Sequence, residues 1–258
     1  MVGSRKVGTS GVRSVLRAVA LLRAFTHAKP HLSLAELAAA TKLDKGTTRR
    51  LLLTLKEAGL INQDPATQRY ALSLGAIEFG AAVPESIDLR TAARPVLAQM
   101  ARDMRATVFL SVYRNRSALC LERLHDGRSI EIHWWPVGGV LPLNCGGGPK
   151  LLLAYQPDSE IKAVLKGPLP RLTPNSIVKA AALQARLEKI HLRGWEFAVD
   201  DVSVGLAALA VPVLDGRGQL VAAISASGLT PQMQTPAGRP VHLDLMLAAA
   251  ERIGNAIR

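Results

Sequence analysis

Two short stretches of the chain carry residue types that could do chemistry. In the first, Lys45-Gly46-Thr47-Thr48-Arg49-Arg50, three cations and two hydroxyls crowd the start of a helix, where backbone N–H groups also point outward. That is anion-seeking chemistry. In the second, Asn144-Cys145-Gly146-Gly147-Gly148-Pro149-Lys150, three consecutive glycines precede a helix. They free a row of N–H groups at a partly positive helix start, which suits a carboxylate or a small oxyanion. The stretch is not a P-loop, because Leu151 stands where the magnesium-binding Ser or Thr would follow the lysine. An enzyme reading would use Cys145 as a thiolate at the helix start and His133 as its base, but no third orienting residue or nucleophile elbow accompanies them. Cys120 and Cys145 form no CxxC, and no spacing suggests a metal or cofactor, so none is expected.

The surrounding residues say what positions the first stretch. Asp44 can cap the helix and Gly59 can end it, while Thr48, Leu51, Leu52, Leu55 and Ala58 recur at helical spacing. Upstream, Ser33 and Glu36 form a capping box, and Leu32 with Leu37 a hydrophobic staple, so another helix starts at Ser33 and runs to about Thr41. Two helices separated by a few residues have the spacing of a helix-turn-helix whose second helix enters a DNA major groove. An ordinary helical hairpin with a solvated basic face is the alternative. Two strand-like runs, 60–63 and 68–72, flank a turn at Asp64-Pro65-Ala66-Thr67 and read as a wing. Arg13 to His27 reads as a preceding helix.

Beyond Leu72 the chain is expected to connect two domains through a short helix at Leu74–Phe79, with Pro84 marking the boundary. A long helix follows from Leu89 to Met104, kinked at Pro95. Strands are expected at 108–113, 118–124, 129–135 and 195–199. A helix falls at 180–193, a hairpin from Leu206 to Ser227 turns at Asp215-Gly216-Arg217-Gly218, and a helix closes the chain over 241–257. Strands bracketed by helices argue for an α+β class with a mainly antiparallel sheet.

The 258 residues are 48% hydrophobic and 20% charged, ordinary for a globular protein with a real core. The net charge is +12; residues 1–80 carry +7 of it and residues 81–258 the remaining +5. A polyanion partner is the economical explanation, since phosphate neutralisation supplies most non-specific nucleic-acid affinity. Arg17 and Arg23 interrupt the one apolar stretch that resembles a signal peptide, and no run is long enough to span a membrane, so a cytoplasmic location is expected.

Ser14 to Ala18, Leu32 to Ala38, Lys45 to Leu52, Leu55 to Leu60 and Tyr70 to Gly75 together resemble the winged helix-turn-helix of the IclR family of bacterial transcriptional regulators. Lys45-Gly46 replaces the Pro-Lys or Pro-Ser often found there. Leu141 to Lys150, Gly194-Trp195, Asp200 to Ala208 and Ala222 to Gly228 resemble segments of that family's GAF-like effector domain. Pro149 stands in place of the usual Gly and Asn144 in place of His, and Ala198 falls where some members carry an acidic residue.

The resemblance implies a flexible tail over 1–12, a winged helix-turn-helix over 13–75, a linker over 76–88 and an effector-binding and oligomerisation domain over 89–258. Ser33, Lys45, Thr47, Thr48, Arg49, Arg50 and Arg69 are the expected DNA contacts. Thr47, Thr48 and Arg49 face base edges, and Lys45, Arg50 and Arg69 face phosphates. The resemblance places Ile130, His133, Leu141, Gly147, Gly148, Leu206, Ala208, Ser225 and Ser227 in a pocket for a small organic acid. The glycine stretch adds Asn144, Cys145 and Gly146. The implied partners are a double-stranded operator, the effector and a second copy of the chain, with dimers pairing into tetramers as an extension. Effector binding is expected to act on operator affinity through the segment Leu72 to Leu89.

Overall fold

The computed structural model describes residues 12–26, 28–128 and 131–257. They divide between Val83 and Pro84 into two compact units. In the first, helices α1 (Arg13–Ala24), α2 (Leu34–Thr41) and α3 (Lys45–Glu57) precede strands β1 (Ile61–Gln63) and β2 (Tyr70–Leu72) and helix α4 (Gly75–Ala81). The expected capping box is formed: the Ser33 N–H donates to Glu36 Oε2 at 2.7 Å and the Glu36 N–H to Ser33 Oγ at 3.3 Å. Asp44 Oδ1 accepts the Thr47 N–H at 2.8 Å and so starts α3. Leu21, Leu32, Leu37, Leu52, Leu55, Ile61 and Tyr70 close one core under the three helices and the β-ribbon. Leu32 and Tyr70 also exchange backbone hydrogen bonds at 2.9 and 2.8 Å, which ties the entry to α2 to the ribbon. The first helix ends at Ala24, earlier than expected, because Phe25 turns extended and buries its ring in that core.

The second unit runs through α5 (Pro84–Met104), β3 (Thr107–Arg114), β4 (Ser117–Leu124), β5 (Val140–Leu141), α6 (Gly147–Ala154), α7 (Asp158–Leu165), α8 (Ala180–Arg193), β6 (Glu196–Val199), β7 (Leu206–Leu214), β8 (Leu220–Leu229), α9 (Thr230–Met233) and α10 (Leu243–Ala256). One six-stranded sheet has the order β5-β4-β3-β8-β7-β6, with every neighbouring pair antiparallel. The period of two sends alternate side chains to two cores. Val108, Leu110 and Ile224 meet Leu97 and Met100 of α5 and Met246 and Ile253 of α10. Phe109, Ala210 and Ala223 meet Leu151 and Leu152 of α6 and Leu183 and Leu187 of α8.

The second unit differs from expectation as well. Helix α5 begins at Pro84 and not at Leu89, since proline is tolerated in a first helical turn. Of the strand expected at 129–135, residues 129 and 130 lie outside the described residues and 131–135 are irregular; the second partner of β4, beside β3, is the two-residue β5. Trp135 packs into the core beside Phe109 and Pro136 offers no N–H, so this stretch is tied by side chains where a ladder was expected. Helix α7 was not foreseen, its eight residues being too short for a secure helical period.

Candidate functional site

The first unit presents α3 as a basic helix. Lys45, Arg49 and Arg50 are exposed and Thr47 is half-buried. Thr48 is fully buried, with its hydroxyl donating to the Asp44 carbonyl at 2.8 Å, so it cannot reach a base edge. Four and seven residues before Leu52 and Leu55, it sits on their face of the helix and belongs to the core. The Ser33 hydroxyl is committed to its cap, although the half-buried residue lies at the start of α2. Arg69 is held by Glu36, Nη1 to Oε2 at 3.1 Å and Nη2 to Oε1 at 3.4 Å. Both side chains are about half exposed, so the pair fixes the guanidinium against α2 without adding much stability. The Thr47 N–H and hydroxyl hold the Asp44 carboxyl below its ordinary value, and the Ser33 N–H and hydroxyl do the same for Glu36. Ser33→Ala is expected to cost about 1 kcal/mol in the unfolding of the first unit, read by urea titration.

In the second unit a narrow cleft, partly open to solvent, lies where the start of α6 meets β7 and β8. Of the expected pocket residues, Leu141, Gly146, Gly147, Gly148, Leu206, Ala208, Ser225 and Ser227 line it. Ser225 and Ser227, two residues apart on β8, are buried and turned to the same wall. His133, Asn144 and Cys145 are not among the lining residues, and Ile130 lies outside the described residues. The His133 side chain is 70% exposed and pairs with Glu131 at 3.5 Å. Asn144 is turned away, its amide donating to the Pro170 and Ile177 carbonyls at 2.9 Å each. Cys145 is buried against the Pro170 carbonyl at 3.6 Å. Sequence reasoning missed Trp134, Trp135, Asp201, Val202 and Ser203 in the wall. The tryptophan pair beside a histidine was the one available signal.

The glycines have a packing reason. Gly146 sits at φ 84°, and a Cβ on Gly147 would fall 2.8 Å from the Ala208 carbonyl oxygen, so α6 can start here only without side chains. The anion at this helix start is supplied by the chain itself. Both Asp201 carboxylate oxygens accept the Gly146 N–H at 3.1 Å, and Oδ2 also accepts Lys150 Nζ at 2.6 Å. Lys150, 3% exposed, reaches Glu196 Oε1 at 2.9 Å as well. Glu196 is fully buried and further bound by Arg186 at 3.0 Å and Arg193 at 2.6 Å. Three cations therefore surround two carboxylates behind the cleft. The sequence offers no sign of this cluster, because its members lie up to 51 residues apart.

Burial pushes the Cys145 thiol up, and pushes that of Cys120 from an ordinary 9.0 up to about 12. Neither thiol should be alkylated by iodoacetamide at pH 8 in the folded protein, while both react in urea; mass spectrometry reads the difference. Between pH 9 and 12 the unfolded Cys120 thiol ionises and the folded one does not, so this group's contribution to stability is lost as pH rises through that window. Among the described residues no group of three or more His, Cys, Asp or Glu could hold a metal ion, and no helix is long and apolar enough to cross a membrane.

A basic helix-turn-helix with a wing, followed in the chain by an antiparallel sheet domain, is the architecture of a DNA-binding transcriptional regulator. The chain matches the IclR helix-turn-helix domain over residues 14–65 and the bacterial transcriptional regulator IclR C-terminal domain over residues 81–255. It belongs to the IclR family of bacterial transcriptional regulators. It is similar to the HTH-type transcriptional regulator XynR of Escherichia coli, 29% identical over 220 residues covering 85% of this chain and 87% of that one. A glycerol operon regulatory protein of Streptomyces griseus is also 29% identical, covering 89% of each chain. Among solved structures, an IclR transcriptional regulator from Silicibacter superposes with a TM-score of 0.83 at 25% identity, covering 95% of this chain and 98% of that one. An IclR homologue from Microbacterium hydrocarbonoxydans complexed with 4-hydroxybenzoate superposes at 0.79 with 22% identity, covering 95% and 99%.

Proposed function

We propose that this regulator reads a specific operator through α3 and that a small organic acid in the cleft of the second unit changes its operator affinity. The observation that carries the proposal is the pairing of exposed Lys45, Arg49 and Arg50 on one helix with buried Ser225 and Ser227 facing a cleft in the other unit. Thr47 and Arg49 are the base-edge readers, Lys45 and Arg50 the phosphate contacts, with Ser33 and the Glu36-held Arg69 flanking them. The serine hydroxyls can donate to a carboxylate, and Trp134 and Trp135 offer flat walls to a planar body. The 4-hydroxybenzoate held by the Microbacterium homologue supports that ligand class.

The domain limits are proposed at 13–75 for the DNA-binding part and 89–258 for the effector-binding and oligomerisation part, with the connection between them. The apolar stripe Val12, Val15, Leu16 and Val19, exposed along α1, supports pairing of two chains, and a cytoplasmic setting beside the operator follows from the reading. A cysteine enzyme is not favoured, since Cys145 is buried against Pro170 and His133 points to solvent against Glu131.

The test is binding to the DNA upstream of its own gene and to a scrambled copy across a salt series. A specificity ratio of about a thousand or more at physiological salt supports the reading, and equal affinities that collapse together with salt refute it. Ser225→Ala with Ser227→Ala is expected to weaken an acid ligand about tenfold or more, measured by tryptophan emission, with operator affinity in its absence unchanged.

A further inference from the structure

Strand β4 pairs with β3 carrying one residue too many. Leu110 faces Glu122 and Ser111 faces Cys120, so Leu121 is the extra residue of a β-bulge. In a regular strand, positions 120 and 122 would share a face. The bulge separates them. Cys120 packs with Trp135 and Leu143 in the core beneath the cleft, whereas Leu121 packs against the core of α5 and α10 and Glu122 turns to α5. Glu122 is 4% exposed. One of its oxygens takes Arg90 Nη2 at 3.2 Å and Arg94 Nη1 at 2.9 Å, and the other accepts the Arg123 N–H at 3.3 Å. A carboxylate that buried is costly to leave unpaired, so it clamps this part of α5 to the sheet.

From the same four residues of β4 hangs a strap that forms part of the cleft wall. At one end Arg123 Nη1 donates to the Ile132 carbonyl and Nη2 pairs with Glu131, both at 3.2 Å. At the other, the Gly138 N–H donates to the Cys120 carbonyl at 2.8 Å and the Cys120 N–H to the Gly139 carbonyl at 2.9 Å. Trp134 and Trp135 lie between these anchors and line the cleft. Trp135 is further tied through Nε1 to the Gly139 carbonyl at 3.1 Å and stacks on Phe109 at 5.3 Å. A tryptophan displaced by a ligand therefore pulls on Cys120 and Arg123, the residues on either side of Leu121-Glu122. The helix that Glu122 clamps is the element through which the chain enters the second unit, at Pro84.

Resting on the reading of a cleft ligand that alters operator affinity, we infer that Glu122 is the positioning residue that couples the cleft to α5. The bulged stretch Cys120–Arg123 joins the tryptophan strap on one face to Arg90 and Arg94 on the other. The bulge puts Cys120 and Glu122, two residues apart, on opposite faces of the sheet, which a regular ladder cannot do.

The experiment uses the full chain as wild type, as Glu122→Gln, and as the double variant Arg90→Gln/Arg94→Gln, none of which touches the cleft. Hydrogen exchange is followed without ligand or DNA at the amides of Ile132, Gly138 and Gly139, which are bonded to Thr107 Oγ1, Cys120 and Pro136. Both variants are expected to speed these three amides about fivefold or more. Operator affinity is then measured with and without 4-hydroxybenzoate, and its binding is followed by tryptophan emission. In Glu122→Gln the ligand should still bind within about threefold of wild type, while its effect on operator affinity shrinks below about twofold. Faster exchange in α5 with the strap amides unchanged, or an undiminished ligand effect, overturns the inference. If the wild type fails to bind 4-hydroxybenzoate or to prefer its operator, the functional reading falls, and the exchange measurement still decides the coupling.

Discussion

Arg49→Ala should lower affinity for the operator by tenfold to about a hundredfold while leaving affinity for scrambled DNA nearly unchanged, as expected for loss of a bidentate base contact of about 1–3 kcal/mol. Arg49 is exposed on the second turn of α3, whose start is fixed by the Asp44 cap and whose buried face is held by Leu52 and Leu55 in the core. The guanidinium is thus presented by a rigid element. Lys45→Ala and Arg50→Ala should behave differently, weakening both DNAs alike and each reducing the slope of log affinity against log salt by about 0.9. Thr48→Val is the control that separates reading from folding. Its hydroxyl bonds the Asp44 carbonyl inside the core, so the variant should lose stability and leave operator selectivity intact. An Arg49 variant that weakens both DNAs equally would move that residue to the phosphates, and a selectivity change in Thr48→Val would reject the orientation of α3.

Lys150→Met should be the most destabilising substitution in the second unit, costing about 3–5 kcal/mol, because it leaves buried carboxylates without their partner. Asp201 would keep only the Gly146 N–H among its cation and N–H contacts, while Glu196 would keep Arg186 and Arg193. The damage should therefore centre on Asp201 and the start of α6, which form one wall of the cleft. Lys150→Met combined with Asp201→Asn should regain part of the loss, since contacting residues are not additive. Urea unfolding followed by tryptophan emission reads this unit alone, as Trp134, Trp135 and Trp195 all belong to it. A loss below about 1 kcal/mol for Lys150→Met would mean that the cluster is solvated and not a buried network.

Much of the first unit was legible in the sequence because its signals are local. Ser33 with Glu36, the Asp44 cap and the Leu51-Leu52-Leu55 period act over three or four residues, and the structure uses each of them as read. Thr48 shows the limit of that reading. Its residue type suits a base edge and its spacing suits the core, and helical phase, set by Leu52 and Leu55, decided for the core. In the second unit, alternation marked β3, β4 and the β7–β8 hairpin, but it could not say that residues 131–135 would fail to pair, because that depended on where Trp135 finds Phe109.

The sequence by itself determined the winged helix-turn-helix, the basic helix, the antiparallel sheet and the glycine stretch at the cleft, all features written in residues a few positions apart. Tertiary structure alone decided which polar groups face the cleft. It turned Asn144 and Cys145 toward the Pro170 carbonyl, brought Asp201 to the start of α6, and gathered Lys150, Glu196, Arg186 and Arg193 behind it. It also placed the bulge at Leu121 that sends Glu122 to α5. The physical reason is common to these cases: a buried charge or amide must find its partners wherever packing brings them, and that distance along the chain leaves no local pattern.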